Sequence, residues 1–170
     1  MIPIEYGNYY HIYTHAIDPN NCFISDEDYY LFLKLYRRYI IPVADTYSWC
    51  LLPNHLHLLV RIKEKMEIGL YQRVRFRNGH DKDKFKTTTD IETIERENLS
   101  DTYKLPNPSR HFSHLFNAYT RSFNIRMKRR GGLFERPFKR KIIMNEEYLR
   151  YLVYYIHHNP LKHGFVDDFK

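Results

Sequence analysis

The amino-acid sequence has 170 residues, with 27 Lys or Arg against 20 Asp or Glu, which gives a formal net charge of +7. This length suits one domain around one hydrophobic core, and the 16% of aromatic residues supplies the apolar mass to fill that core. The basic surplus favours a polyanionic partner such as nucleic acid, because Lys and Arg release counterions condensed on phosphates, although membrane surfaces and acidic proteins attract the same charge.

Several protein classes are excluded by features that the sequence lacks. No run of about 18 apolar residues is present, so we predict no membrane span and no membrane partner. Residues 1–10 lack a basic start followed by an apolar stretch, so we expect no signal peptide. Cys22 and Cys50 lie far apart and form no CxxC pair, which argues against a disulfide framework or a zinc ribbon. A reducing, cytoplasmic compartment fits these features best.

The first part of the chain predicts a strand, a helix and two further strands. Ser25 and Asp28 form a capping box at the start of the helix, and Pro42 ends it. Alternating apolar residues and a Pro-Asn turn define the strands. The three predicted strands cover residues 9–17, 43–51 and 55–62.

Residues 63–108 are polar and charged, with weak periodicity. We interpret this stretch as a polar insertion or mobile loop within a single domain that spans residues 1–170. A structureless connection of that length is uncommon unless it is functional or disordered.

The last part of the chain predicts a helix, a strand and a final helix. A helix from about Ser109 to Met127 is indicated by one apolar stripe at helical spacing. A strand follows at residues 138–144. Asn145 then caps the final helix, and we expect Pro160 to close it. The stripe of the first of these helices consists of Phe112, Leu115, Phe116, Tyr119 and Phe123.

The resulting order, β-α-β-β-α-β-α, predicts the fold class. Its first six elements match the α+β, ferredoxin-like or RRM-like arrangement, in which helices cover one face of an antiparallel sheet. The other face is left open, and open faces of this kind bind nucleic acids in other proteins. The final helix lies outside this core and carries several tyrosines.

His55 and His57 are candidate metal ligands, because residues two apart in a strand share a face. Imidazole suits manganese and other borderline metals, and magnesium could be held with help from water and substrate phosphate. The alternative is that both are the polar outer face of a half-buried strand. If the first strand pairs beside this one, His11 and His15 share the same face, and we interpret those two as ordinary exposed strand residues.

Tyr155 and Asn159 lie four residues apart in the final helix and flank its apolar face. A helix that docks by this face on the sheet would carry both toward the histidines. A nearby cation would favour the phenolate of Tyr155, and the Asn159 carbonyl oxygen could be a third ligand. Attack on DNA would give a covalent tyrosyl-phosphate. Tyr119 is rejected as the nucleophile because it belongs to the apolar stripe. The final helix, which carries Tyr155, also contains Tyr148, Tyr151 and Tyr154.

A basic segment from Arg121 to Lys141 contains six Arg and three Lys against one acid, Glu135. Aromatic residues are interleaved with these charges, which is typical of surfaces that hold single-stranded nucleic acid. We predict that this segment binds DNA; the alternative is a solvated basic end of a helix. The predicted DNA-binding residues are Arg121, Arg126, Lys128, Arg129, Arg130, Arg136, Lys139, Arg140 and Lys141.

Four sequence blocks resemble one known family. These are PNHLHLLV, its lead-in SWCLLPNH, GGLFERPFKRKII and YIHHNPLKHGFV. In this order they resemble the single-tyrosine HUH transposases, specifically the REP-associated and IS200-like tyrosine transposases. The resemblance covers about residues 9 to 166.

This resemblance implies a site and an activity. It implies a divalent metal ion, Mg²⁺ or Mn²⁺, on His55 and His57, with Asn159 completing the site and Tyr155 as the nucleophile. The expected function is a metal-dependent DNA endonuclease and strand transferase that acts on single-stranded or hairpin DNA at the ends of mobile elements or repeats, and a homodimer is among the expected assemblies. The alternatives are a non-catalytic nucleic-acid-binding module and an RNA-binding protein on the same fold.

Overall fold

The computed structural model describes residues 3–17, 21–72, 87–88 and 103–167. Its elements are β1 (Tyr9–His15), α1 (Asp26–Tyr39), β2 (Ala44–Leu52), β3 (His55–Ile62), α2 (Lys65–Ile68), β4 (Leu70–Gln72), β5 (Thr87–Thr88), β6 (Tyr103–Lys104), α3 (Pro108–Arg126), β7 (Lys139–Ile143) and α4 (Glu146–Lys162). The main elements lie within one or two residues of the boundaries that the sequence predicts, apart from the C-terminal end of α4.

Four strands form an antiparallel sheet in the order β2-β3-β1-β7. This order is that of the ferredoxin-like fold, so the predicted α+β class is confirmed. β1 pairs with β3 in a register that sets His15 opposite His55 and Tyr13 opposite His57. The register therefore concentrates histidines from two strands on one face of the sheet.

The helices α1 and α3 cover one face of this sheet and enclose the main core. Leu56 and Leu58 of β3 are buried on this face, as their alternation predicts. The whole predicted stripe of α3 is buried there as well. At the start of α1, the Asp28 carboxylate accepts hydrogen bonds from the backbone N–H groups of Ile24 and Ser25. Arg126 of α3 forms an ion pair with the same carboxylate and so ties the two helices together.

The helix α4 packs on the opposite face of the sheet and turns an open surface into a partly covered one. Leu152 and Ile156 are buried against Leu59 of β3 and residues of β2 and β7. Burial of each such side chain stabilises the docked helix by roughly 1.5–3 kcal/mol. The prediction that α4 docks on the sheet by its apolar face is therefore confirmed.

The prediction that Pro160 closes this helix is wrong, because α4 continues to Lys162 with Pro160 inside it. A proline removes one backbone donor and restricts the residue before it. Here it stands in the last turn of the helix. The backbone N–H of His163 still bonds to the Asn159 carbonyl, so the helix extends by two residues beyond the expected end.

Residues 63–108 contain short elements where the structure describes them. α2 follows β3 directly, and β4 lies between β5 and β6 in a small antiparallel sheet. Most of the range from 73 to 102 lies outside the described residues, so its interpretation as an insertion or mobile loop stays a prediction. In the part of the chain that is described, no helix is long and apolar enough to cross a membrane.

Candidate active site

A pocket of about 540 Å³ lies between the sheet and α4. The strands β1 and β3 form one wall with their histidines, and α4 forms the other with its tyrosines. Its lining residues are His11, Tyr13, His15, His55, His57, Lys141, Tyr148, Tyr151, Leu152, Tyr155, Lys162 and His163.

His55 and His57 are both buried, with exposed fractions of 3% and 5%, so they are not the solvated outer face of a half-buried strand. The Nδ1 of His55 donates to the Oδ1 of Asn54 at 2.8 Å. The Nδ1 of His57 shares a hydrogen bond of 2.9 Å with the Nε2 of His11. Each ring therefore uses Nδ1 to hold its orientation, and Nε2 is the nitrogen with which each can bind a ligand.

The expectation that His11 and His15 are ordinary exposed strand residues is wrong. His11 is buried, with 7% of its surface exposed, and His15 is half-buried. The His15 ring stacks on His55 with a centroid separation of 5.0 Å. The physical reason is α4, which covers this face of the sheet and gives the β1 histidines partners.

Burial sets the charge of these histidines. It lowers the pKa of His57 to about 3, assisted by the neighbouring histidines. It also lowers the pKa of His11 to about 4, assisted by the positive charge of Lys141. The pKa of His55 is lowered by burial as well, while the nearby Asn159 side chain opposes that shift. All three rings are therefore neutral at physiological pH, which is the form that binds metal ions.

Tyr155 lies directly against the histidine pair. Its ring meets the His57 ring edge-on, with centroids 5.6 Å apart and an interplanar angle of 81°. The His11 ring lies 6.4 Å from it. On the other side, the Nζ of Lys162 lies 5.8 Å from the centroid of the Tyr155 ring. The half-buried phenol thus stands between neutral imidazoles and a cation.

Asn159, one helical turn after Tyr155, has an unusual environment. The residue is fully buried, and its Nδ2 donates to the backbone carbonyl of Tyr155 at 3.2 Å. Its Oδ1 is buried without a hydrogen-bond partner among the described residues. No hydrogen bond of good geometry reaches this oxygen, although the Asn159 side chain lies close enough to His55 to raise the pKa of that ring.

The donor set fits a divalent metal ion. Two neutral imidazoles and one amide oxygen are ligands that Mn²⁺ accepts, and Mg²⁺ could bind there with water and phosphate oxygens. No group of three or more His, Cys, Asp or Glu side chains could hold a metal ion within the described ranges, which end at residue 167 and omit most of 73–102. The roles of His55, His57 and Asn159 as metal ligands therefore stay predictions.

Tyr119, the rival tyrosine, lies in the main core on the other face of the sheet. It is fully buried, and its hydroxyl donates to the backbone carbonyl of Cys22 at 2.5 Å. Burial raises the pKa of this phenol far above its ordinary value. It is a core residue, as its place in the apolar stripe predicts.

The structure separates the basic residues of the segment 121–141 into three groups. Lys139 and Lys141 lie opposite Tyr13 and His11 in the sheet, so they project on the face that carries the pocket. A second group bonds to protein atoms elsewhere: Arg126 to Asp28, Arg129 to Asn124 and Gly132, Arg136 to Asn117, and Arg140 to Ser109. Arg121, Lys128 and Arg130 are exposed. The role of the whole segment in binding DNA stays a prediction.

Sequence reasoning missed the contributions of three residues to the pocket, although it placed His11 on the correct face of the sheet. His11 holds the His57 ring, His163 lies against His55 with centroids 5.0 Å apart, and Lys162 flanks Tyr155. A signal for His163 was present, because it stands four residues after Asn159 on the same helical face. The expected end of the helix at Pro160 concealed it.

Comparisons with known proteins agree with this architecture. No family profile matches the chain, and no curated protein matches it. A solved structure of a REP-associated tyrosine transposase bound to a REP hairpin matches with a TM-score of 0.57 and 16% sequence identity. The match covers 98% of this chain and 74% of the transposase chain. The chain therefore has the fold of that transposase, and the resemblance drawn from the four sequence blocks is confirmed at the level of the fold.

Proposed function

We propose that this protein is a metal-dependent DNA endonuclease and strand transferase that acts through a covalent phosphotyrosine on Tyr155. The observation that carries the proposal is that the Tyr155 phenol and two neutral histidines line one pocket, while the buried Asn159 side chain lies close enough to His55 to influence the pKa of that ring. The shared fold with a REP-associated tyrosine transposase supports it independently. By the same resemblance, we propose that residues 1–170 act as one domain of this type.

The chemistry follows from these side chains. In the nicking step, the Tyr155 oxygen forms a bond to the scissile phosphorus and the bond from that phosphorus to the 3′ oxygen breaks. The phenolic proton is given up, and the departing 3′ oxygen takes up a proton to become a hydroxyl. A 3′-hydroxyl can later attack the phosphotyrosine, which rejoins a strand and frees Tyr155 without ATP, because the intermediate conserves the backbone bond.

The residues around Tyr155 have separate tasks in this proposal. His55, His57 and Asn159 would hold the metal ion. When bound, a divalent ion supplies positive charge that polarises the phosphodiester and favours the phenolate. His11 and Asn54 fix the orientation of the two histidine rings through their Nδ1 atoms. The apolar face of α4 anchors the helix that carries Tyr155 and Asn159.

The proposed substrate is single-stranded or hairpin DNA. The net charge of +7 and the lysines at the pocket, Lys141 and Lys162, support a polyanionic substrate. The transposase of similar fold is bound to a REP hairpin, which supports DNA specifically. Assembly of this chain as a homodimer remains a prediction from the resemblance.

The deciding experiment uses end-labelled single-stranded and hairpin DNA with Mn²⁺ or Mg²⁺. We expect a covalent protein–DNA adduct that resists denaturation and does not form in EDTA. Digestion of the trapped adduct and mass spectrometry should find the nucleotide on the peptide that contains Tyr155. Binding of DNA without any adduct, under all metal conditions, would instead favour the non-catalytic nucleic-acid-binding module.

A further inference from the structure

Three tyrosines form a regular ladder along one side of α4, in which Tyr151 is exposed and Tyr148 and Tyr155 are half-buried. Tyr148, Tyr151 and Tyr155 follow one another at helical spacing, and their rings are nearly parallel. The centroids of Tyr148 and Tyr151 lie 6.2 Å apart at an interplanar angle of 26°, and those of Tyr151 and Tyr155 lie 6.2 Å apart at 24°. The ladder therefore presents aromatic faces of one orientation, and it ends at the proposed nucleophile.

The middle of this ladder is not part of the protein core. Tyr151 has 57% of its surface exposed, whereas the apolar residues that anchor α4, Leu152 and Ile156, are buried on the other side of the helix. Tyr151 and Tyr155 also stand between two hollows. One is the candidate active site of about 540 Å³, and the other is a depression of about 490 Å³ on the outer side of α4. Tyr151 and Tyr155 thus line both hollows.

Cations stand at both ends of the ladder. The Nζ of Lys141 lies 4.2 Å from the centroid of the Tyr148 ring, and the Nζ of Lys162 lies 5.8 Å from that of Tyr155. Both lysines are exposed and line the same pocket. Parallel aromatic faces between positive charges are the arrangement with which proteins hold unpaired nucleotides, because bases stack on the rings while cations neutralise the phosphates.

We propose that this ladder is a stacking platform for unpaired nucleotides of single-stranded DNA next to the phosphate that Tyr155 attacks. One base stacks on Tyr151 and a neighbouring base on Tyr148, and the intervening phosphates lie near Lys141. The location of the platform next to the scissile phosphate rests on the proposed function. The stacking of bases on the rings requires neither a metal ion nor cleavage of the DNA. The platform predicts a preference for unpaired DNA, since bases in a duplex cannot reach the rings.

The test measures binding in EDTA, so that it is independent of cleavage. Fluorescence anisotropy of a labelled oligonucleotide gives the affinity, and 2-aminopurine at successive positions reports stacking by its quenching. Tyr151→Ala should weaken binding of single-stranded DNA about 5- to 20-fold, in line with the loss of one stacked base. Tyr151→Phe should stay within about twofold of the parent, because it keeps the aromatic face.

A matched control separates the ladder from the general loss of an exposed tyrosine. Tyr30 on α1 is 74% exposed and lies with the helices that cover the other face of the sheet. Tyr30→Ala should leave the affinity unchanged. An abasic site at the stacking position should weaken binding to the parent but not to Tyr151→Ala, so that the two losses are not additive.

The outcomes distinguish this proposal from the proposed function. Coupling between Tyr151 and one abasic position supports the platform even where no covalent adduct forms, and in that case only the nuclease proposal fails. Equal affinities for the parent and Tyr151→Ala would overturn the platform, as would abasic losses that simply add. A Tyr151→Ala variant that changes self-association of the protein while its DNA affinity stays the same would also overturn it and identify the ladder as a contact between copies.

Discussion

The two faces of the four-stranded sheet use alternate residues of the same strands for opposite purposes. On one face, Leu56 and Leu58 pack beneath α1 and α3, and even the buried hydroxyl of Tyr119 has a partner. On the other face, His57 lies beneath α4 against the ring of Tyr155, and the buried amide oxygen of Asn159 has no hydrogen-bond partner among the described residues. One face is therefore filled mainly by apolar side chains, whereas the other presents histidines and tyrosines to a pocket.

The largest expected effect is on the yield of covalent adduct, which should depend on Tyr155 on one face and not on Tyr119 on the other. Tyr155→Phe removes one half-buried oxygen and little packing, so it should fold and bind DNA normally. Without the nucleophilic oxygen, the yield of covalent adduct should fall below detection, at least about 10³-fold, because no other group forms the bond. Denaturing gel electrophoresis of labelled DNA after incubation with Mn²⁺ measures this directly.

Tyr119→Phe is the matched control on the other face. It deletes the hydrogen bond to the Cys22 carbonyl, so the free energy of unfolding should drop by about 1–2 kcal/mol while the rate of adduct formation stays near that of the parent. Adduct formation by Tyr155→Phe, or nucleotide recovered on the peptide around Tyr119, would reverse the assignment.

Two neighbouring residues of β3, one on each face, should also differ in whether their substitution affects DNA cleavage or the stability of the fold. His57→Ala removes a proposed ligand, and we expect it to abolish cleavage and weaken Mn²⁺ binding while most DNA binding remains. Leu58→Ala, one residue later and on the other face, should instead lower the free energy of unfolding by about 2–5 kcal/mol, since it leaves a cavity in the core. Calorimetric titration with Mn²⁺ and chemical denaturation distinguish the two results. Full cleavage by His57→Ala, or by the parent in EDTA, would refute a metal site at this position.

The sequence predicts whatever depends on local periodicity. Alternation in residues 55–62 assigns His55 and His57 to one face and Leu56 and Leu58 to the other, and helical spacing assigns Tyr119 to the core. These assignments need only the geometry of a strand and of a helix, and they are confirmed.

Features that depend on contacts distant in sequence were not predictable in this way. The burial of His11 depends on α4, whose docking covers the β1 histidines. Arg126 pairs with Asp28, which lies 98 residues away in the sequence. Its positive charge is therefore already partly balanced within the protein. A count of charges along the chain cannot reveal which of them are already paired.

A smaller effect is expected from His11, which holds the proposed ligand His57 rather than acting on DNA. His11→Ala removes the hydrogen bond to the His57 Nδ1, so the ring loses its fixed orientation. Loss of such a partner typically lowers metal affinity by about 10- to 100-fold. His11→Gln can supply another hydrogen-bonding side chain and should recover part of the affinity. The measurement is Mn²⁺ binding by calorimetry, and unchanged affinity in His11→Ala would restrict this residue to a packing role.

The smallest expected effect is on the salt dependence of DNA binding, and it should differ between basic residues on the two faces of the sheet. Lys141 lines the pocket, whereas Arg126 is held by the buried Asp28. Each phosphate contact on a single strand contributes roughly 0.7 to the slope of log K against log salt concentration, because counterions are released. Lys141→Gln should therefore flatten that slope by up to about 0.7. Arg126→Gln should cost stability, since it leaves a buried carboxylate without its partner, while the slope stays that of the parent. Binding titrations at several salt concentrations, below the unfolding temperature of both variants, measure the two slopes. An unchanged slope in Lys141→Gln together with a flatter one in Arg126→Gln would move the DNA path from α4 to the helices on the other face.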